Sequence, residues 1–405
     1  MGIVAQVMGA DFARLKSVLP EIQKALAEHR LGGWLLYDLH ARNSVAVKLL
    51  GQGDLSRRYF VLIPAQGEPI AVTHGIEEGP WQNWSWPKHS YVGWRELADT
   101  LQALLNGKGA IAMEFSDRDA VPAVDLVPAG VVELVRSAGV EVVSSGELVT
   151  RFYSRWSSDD LASHRRASAV LAQVAHAAFT RLARAVEEGE RPTEGTMREW
   201  VNADLNARGL RSGADCIAAT GVSAANPHYE PVNGGAAFKP ADVVLLDLWG
   251  KETDDSVYSD QTWMAYLGGA VPERAGRLFS IVRDARDAAV DFLERAWREG
   301  RPVQGGEVDD VARGIITDQG YGAFFIHRTG HSVDRAVHGM GPNIDNLETR
   351  EVRRLVPGVG FSIEPGIYIP GELGVRTEIN VYIGAGGPEV TTPDPQREML
   401  TLLSR

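Results

Sequence analysis

Two separated stretches of this chain carry the same punctuation, and that repetition limits the folds open to it more than any single motif. Glu188-Gly189-Glu190-Arg191-Pro192-Thr193-Glu194-Gly195 closes one long helical run and opens a second that stops at Gly209; Glu299-Gly300-Arg301-Pro302-Val303-Gln304-Gly305 does the same ahead of a helix that stops at Gly320. Glycine ends a helix by adopting the left-handed conformation cheaply, and proline cannot donate inside one. An extended segment follows each helix pair. Repetition on this scale predicts two related α/β halves facing each other, with a site between them. The alternative is two independent sets of helix stops, since Gly and Pro end helices wherever they fall.

The chain ahead of this repeat reads as a smaller α/β domain. Leu15, Leu19, Ile22 and Leu26 recur at helical spacing over residues 12 to 30, with Pro20 a candidate break. Short apolar runs at Trp34–Tyr37, Tyr59–Ile63 and Pro69–Thr73 predict strands, and a helix over 94 to 106 ends at Gly107 before a strand at Ile111–Phe115. Ser157 stands three residues before Asp160 in capping-box spacing, so a helix and a new domain open there. The expected division is 1–154 and 155–405. The loop Tyr37 to Asn43 follows a buried strand, a common place for binding groups, so Asp38 and Arg42 are candidates beside the blander reading of a solvated loop. Trp81, Trp84, Trp86, Tyr91 and Trp94 form either a subunit contact or ordinary packing under a long loop.

Composition narrows the function classes. No run of about eighteen apolar residues exists, so no membrane span is expected. The start, Met1 to Gln6, lacks a basic region with an apolar core, so no secretion signal is expected either. The lone Cys216 cannot form an internal disulfide, which fits a cytoplasmic protein. A net charge of -12 argues against nucleic acid, whose phosphates need clustered cations. Small molecules or short peptides are the expected partners.

The candidate chemistry lies beyond the boundary. Of the chain's ten histidines, His327, His331 and His338 fall within thirteen residues. Around them stand acids in apolar frames: Asp247 in Val243–Trp249, Asp260 in Ser256–Trp263, Glu364 in Phe361–Gly366 and Glu378 in Val375–Tyr382. A hairpin would bring Asp247 and Asp260 together, and a second would present Glu364 and Glu378. Buried carboxylates are costly unless paired with cations or metal. Oxygen-rich ligands with one imidazole favour Mn²⁺, with Co²⁺, Zn²⁺ or Fe²⁺ as alternatives, and two such divalent ions make water a nucleophile at neutral pH. Hydrolysis is the chemistry this predicts. Four separate salt-bridged surface acids would be the alternative.

The ordered set Asp, Asp, His, Glu, Glu in these frames resembles the pita-bread metallopeptidase family that includes methionine aminopeptidase, aminopeptidase P, prolidase and creatinase. The likeness covers most of residues 155 to 400. It implies an α/β (α+β) chain: a C-terminal pita-bread fold of two pseudo-symmetric α/β halves, preceded by a smaller creatinase-like N-terminal α/β domain. By that resemblance Asp247 binds one metal, Asp260 and Glu378 bridge both, and His331 and Glu364 bind the other. Glu364 also moves protons, His228 meets the substrate, and His327 and His338 line the pocket. Arg376 braces the site, and Tyr368 joins the substrate-binding candidates.

A complete ligand set argues against creatinase, and the large N-terminal domain argues against methionine aminopeptidase. Arg350, fourteen positions before Glu364, matches a prolidase arginine that grips a dipeptide's C-terminal carboxylate. The expectation is therefore an Xaa-Pro dipeptidase (prolidase) acting on Xaa-Pro dipeptides as a homodimer. Aminopeptidase P on longer peptides and a catalytically inactive binding protein are the alternatives. Asp38 and Arg42 would then reach a neighbouring subunit's pocket. The chain departs from the family's pattern in a longer Asp247–Asp260 loop, in Trp263 where many members have arginine, and in Gly213-Ala214-Asp215 where relatives often place an aromatic.

Overall fold

The computed structural model describes residues 10–403. Met1 to Gln6, on which the reading about secretion rests, lies outside the described residues. The chain divides into two compact units, Met1–Tyr153 and Ser154–Arg405.

In the first unit the order is α1 (Ala13–Glu28), β1 (Gly33–Asp38), α2 (Ser44–Leu50), β2 (Tyr59–Pro64), β3 (Ile70–His74), β4 (Lys88–Tyr91), α3 (Trp94–Leu105), β5 (Ala110–Met113), α4 (Ala129–Ser137), β6 (Glu141–Ser144) and α5 (Gly146–Phe152). One six-stranded sheet forms in the order β4-β3-β2-β1-β5-β6. Every residue of β1 is buried, as a central strand covered on both faces requires. Pro20 does not divide α1. It stands on the exposed face, as does Lys16 one turn earlier, so the carbonyl left without a donor is open to water. Most of the tryptophan segment is packing: Trp81 and Trp84 are buried against Phe12, and Tyr59 meets Trp81 edge-on, whereas Trp94 is exposed.

The second unit opens with α6 (Ser158–Glu187). Its capping box is formed, with Asp160 N–H donating to Ser157 Oγ at 3.1 Å and Ser157 N–H donating to Asp160 Oδ2 at 2.9 Å. Then come α7 (Glu194–Ala207), β7 (Ile217–Thr220), β8 (Val243–Gly250) and β9 (Ser259–Tyr266). A second helix pair follows, α8 (Glu273–Arg298) and α9 (Gly305–Asp318), then β10 (Ser332–Val333), β11 (Gly360–Ile363), β12 (Gly366–Ile369), β13 (Leu373–Arg376), β14 (Ile379–Gly384), β15 (Gly387–Val390) and β16 (Leu400–Thr401). Each helix pair leads to its own four-stranded sheet, β16-β9-β8-β7 and β10-β11-β14-β15, and β12-β13 form a separate hairpin.

Strand alternation decides which side chains meet. Val244, Leu246 and Leu248 of β8 join the core under α6 and α7, with Leu171, Phe179, Met197 and Val201. Val243 and Leu245 join the other core instead, with Leu278, Val282 and Ala285 of α8. Asp247 therefore shares the face of β8 that looks toward the second half. In β11 and β14 the parity is complementary: Phe361, Ile363, Ile379 and Val381 pack on the α8–α9 side, so positions 364 and 378 turn away from it. Each fully buried aliphatic side chain contributes roughly 1.5–3 kcal/mol. Slipping β8 by one residue would exchange its two buried faces and drive Asp247 into the core under α6 and α7, so the apolar parity locks the acid onto the face toward the second half.

Candidate metal centre and active site

The register of the β8–β9 hairpin pairs Asp247 with Thr262 and Trp249 with Asp260. Asp247 and Asp260 thus lie diagonally on one face. In the second sheet Ile363 pairs with Ile379, and Glu364 and Glu378 are the next residues on either side. Glu378 N–H donates to the Thr262 carbonyl at 3.4 Å, tying the second sheet to the first hairpin, and Glu364 N–H donates to the Thr329 carbonyl at 2.7 Å. His331 is held from both ends: its N–H donates to Ser362 Oγ at 3.0 Å, and its carbonyl accepts from Ser362 N–H at 2.8 Å.

Asp260, His331 and Glu378 each offer a ligand atom, all within 4.8 Å of one another. His331 Nδ1–H donates to the Ser332 carbonyl at 3.2 Å, which leaves the Nε2 lone pair outward. That lone pair faces Glu364 Oε1 at 3.3 Å and Asp260 Oδ2 at 3.6 Å. Acceptors facing acceptors need a cation or a proton between them. Burial pushes the imidazole's pKa down to about 3, with Arg328 adding to the effect, so a proton is not held there near neutrality. Burial raises Asp247, Asp260 and Glu378; for Asp260 and Glu378 the neighbouring carboxylates add to it, while Arg376 opposes the rise in Asp247. Asp247 Oδ1, Asp260 Oδ1 and Glu378 Oε1 are buried with no hydrogen-bond partner among the described residues. Three orphaned carboxylate oxygens beside one unprotonated imidazole nitrogen fit divalent cations.

Arg376 and Thr262 hold this frame. The Arg376 guanidinium pairs with Asp247 and donates through Nε to Thr262 Oγ1 at 2.9 Å, while Thr262 Oγ1 donates to Glu378 Oε2 at 2.8 Å. Asn380 Oδ1 accepts from Asp260 N–H at 2.8 Å and from Ser259 Oγ at 3.1 Å. Sequence reasoning assigned no role to Thr262 or Asn380. Each lies two residues from a ligand and so shares its face, which is the signal that identifies them.

All five ligand candidates line one cavity of about 530 Å³, together with His228, His327, His338 and Arg376. The His338 ring stands edge-on to His331 with centroids 4.4 Å apart, and burial with the neighbouring His331 lowers its pKa to about 4. His327 has both ring nitrogens engaged: Nδ1–H donates to the Arg328 carbonyl at 2.7 Å, and Nε2 accepts from Tyr368 OH at 2.8 Å. Tyr368 is buried, outside the residues that line the cavity, with its hydroxyl on His327 Nε2.

Three other expectations change. Arg350 is exposed and outside the wall; Arg328, Arg335 and Glu348 line the cavity instead. The half-buried Arg328 guanidinium has no hydrogen-bond or ion-pair partner among the described residues, whereas Arg335 pairs with Asp160 at 3.1 Å. Asp38, in the first unit, is fully buried and accepts from Asn43 N–H at 2.8 Å and Ala41 N–H at 3.0 Å, so it builds its own turn. Arg42 is exposed on that turn. The family departures are accommodated locally. Trp263 is buried and donates to Gln261 Oε1 at 3.0 Å, Gly213 and Ala214 line the cavity with the Tyr258 hydroxyl packed close against Gly213, and Lys251 ties the long loop to the Asp254 and Arg335 carbonyls at 2.8 Å each.

The sequence pattern of Metallopeptidase family M24 matches residues 163–385. The chain belongs to that family. Membership implies a divalent-metal site, in agreement with the donor set found here. An Xaa-Pro dipeptidase of Lactobacillus delbrueckii subsp. lactis is 38% identical over 169 residues, 42% of this chain and 42% of that protein. A second, from Lactobacillus helveticus, is 37% identical over 40% of each. The match thus spans less than half the length of these curated relatives. Among solved structures, a dipeptidase from Mycobacterium ulcerans superposes with a TM-score of 0.70 at 24% identity, covering 97% of this chain and 99% of that one. An X-Pro aminopeptidase from Thermotoga maritima gives 0.56 at 22%, covering 93% and 99%. The second unit of this M24 chain has the pita-bread fold, and no helix among the described residues is long and apolar enough to cross a membrane.

Proposed function

We propose that this chain hydrolyses the Xaa-Pro bond of dipeptides with the aid of two divalent ions held by Asp247, Asp260, His331, Glu364 and Glu378. The observation that carries this reading is the set of three buried, unpartnered carboxylate oxygens facing one cavity. When bound there, divalent ions supply a nucleophile from water at neutral pH and polarise the scissile carbonyl. Mn²⁺ is the first ion to test, since four of the five donors are carboxylates.

The chain's own residues set the rest. Arg376 and Thr262 keep Asp247 and Glu378 in place. Glu364 is the least enclosed of the four carboxylates and accepts from Ser362 Oγ at 3.1 Å, so it is free to take a proton and deliver it to the leaving proline nitrogen. His228 and His338 offer ring N–H groups to the developing oxyanion, whereas His327 is committed to Arg328 and Tyr368. An Xaa-Pro bond has no N–H, so recognition falls on the proline ring and the free termini. Ile217, Trp249, Tyr258 and Val337 supply apolar wall, and Arg328 is the cation placed for the terminal carboxylate. The reading extends to a homodimer in the cytoplasm; the single cysteine, buried and unpaired, supports a reducing compartment.

A metal-supplemented panel of Xaa-Pro dipeptides, Xaa-Pro tripeptides and non-proline dipeptides tests it. Turnover of the first group should vanish on chelation and return with Mn²⁺ or a similar ion. Chelator-resistant activity would overturn the proposal, and equal cleavage of tripeptides would move the substrate to longer Xaa-Pro peptides.

A further inference from the structure

His228 sits on a long exposed loop between β7 and β8, yet it must reach into the cavity with some precision. Such a loop needs anchors, and the structure shows where they are. Glu194, the first residue of α7, is fully buried and carries no role in the site described above. Its carboxylate touches the loop at three points. Oε1 accepts from Thr220 N–H at 2.9 Å where the loop begins. Oε2 accepts from Ala236 N–H at 2.7 Å near its far end, and from Tyr229 OH at 2.6 Å in the middle. Gly235, at φ +74°, passes so close to this carboxylate that any side chain there would meet it. On the other side of His228, Arg376 Nη1 donates to the Pro227 carbonyl at 3.5 Å, and Arg376 also pairs with Asp247.

We infer that Glu194 and Tyr229 form a positioning latch: the buried carboxylate holds the Tyr229 hydroxyl so that His228, one residue earlier, faces the reacting carbonyl. The physical reason is that the nearest anchors before His228, Ala224 buried against Gly374 and the Pro227 carbonyl on Arg376, all lie on one side of it, whereas an anchor on Tyr229 holds the other side and fixes the direction of the His228 side chain. A carboxylate accepting three donors is also satisfied without a cation, which is why Glu194 can be buried among apolar neighbours of α7. Tyr229 supplies the reach, because its ring packs against the core while its hydroxyl crosses to Glu194.

The inference rests on the hydrolytic reading, and its test separates the two. In the Mn²⁺-loaded full chain, Tyr229→Phe should lower kcat on an Xaa-Pro dipeptide with KM nearly unchanged. An oxyanion donor is worth about 10²–10³ in kcat, so misaiming one should cost roughly tenfold. His228→Ala should cost more, and adding Tyr229→Phe to it should cost nothing further. A merely structural tyrosine would instead give additive losses. Wild-type kcat in Tyr229→Phe, or additivity in the double variant, overturns the latch. If the wild type hydrolyses no Xaa-Pro substrate, the functional reading has failed on its own. Hydrogen exchange over residues 221–236 of the metal-free chain then decides the latch: faster exchange in Tyr229→Phe supports it, and unchanged exchange overturns it. Glu194→Gln should have the same effect on exchange, since its amide would turn a donor toward one of the three donors now satisfied.

Discussion

Glu378→Gln should make the metal-free protein more stable and the metal-loaded protein less stable, an inversion that follows from the geometry of one side chain. Glu378 Oε2 accepts from Thr262 Oγ1 at 2.8 Å, while Oε1 is buried without a partner, close to Asp260 and His331. A glutamine keeps the Thr262 bond through its carbonyl and places an amide donor where the orphaned oxygen stood, facing Asp260. Where Glu378 is ionised, relieving an unsatisfied buried acceptor of this kind is worth roughly 1–3 kcal/mol, and where it is protonated its own O–H already serves as donor and the gain shrinks. For a folding unit of this size each kcal/mol shifts Tm by about 2–4 °C, so the metal-free variant should melt about 2–12 °C above the wild type at the higher pH. With Mn²⁺ at a thousand times Kd, the wild type should gain about 4 kcal/mol per site, and the variant much less. The pH dependence adds a second signature. Burial raises the Glu378 pKa, so the folded metal-free protein holds a proton that the unfolded chain releases above the ordinary carboxylate range. Its stability should therefore fall as pH rises through that window, and the variant's should fall less. Thermal melts with chelator and with Mn²⁺, at pH 6 and pH 8, measure all of this. A Glu378→Gln chain that melts below the wild type in chelator at pH 8 would refute the argument that repulsion among buried acids dominates the empty site.

Arg328→Ala should raise KM for Xaa-Pro dipeptides by about 10- to 100-fold, the loss of one charge-assisted contact, while leaving cleavage of C-terminally amidated dipeptides nearly unaffected. Arg350→Ala, outside the cavity wall, should leave both unchanged; steady-state kinetics on the paired substrates checks the two together. Acid stability should report on His164. This residue is fully buried, with Nδ1–H donating to the Tyr258 carbonyl at 2.6 Å and Nε2 accepting from Thr391 Oγ1 at 2.7 Å, and burial lowers its pKa to about 4. The unfolded chain binds the proton from about pH 6.5 downward and the folded chain only near pH 4, so stability should fall by about 3 kcal/mol across that window. Denaturant midpoints for His164→Gln should decline less steeply between pH 6.5 and 4.5; an equal decline would count against the buried imidazole as the cause.

Local rules carried the sequence reading where a feature depended only on near neighbours. The Ser157–Asp160 spacing opens a helix because the cap and its partner lie within one turn. The apolar frames around Asp247 and Asp260 mark strands, and period-two alternation then assigns both acids to one face whatever else the chain does. The same parity would have pointed to Thr262 and Asn380. Glu364 and Glu378 needed one further step, a hairpin in register, and the β11–β14 pairing leaves them opposite each other just past its last pair.

Long-range placement was beyond that reach. Pro20 reads as a break until tertiary packing turns its lost hydrogen bond toward water. Asp38 in a polar loop looks available for a ligand, but whether its oxygens meet solvent or the Asn43 and Ala41 amides depends on how the turn closes. Spacing from Glu364 made Arg350 the choice for a carboxylate, whereas the fold sends Arg350 to the surface and puts Arg328 in the wall. Sequence by itself determined which residues share a strand face or a helix turn, because backbone geometry dictates those relations over a few residues. Only the tertiary structure decided which loops border the cavity and whose side chains they leave unpaired, because that depends on contacts between segments a hundred or more residues apart, such as Arg376 with Asp247.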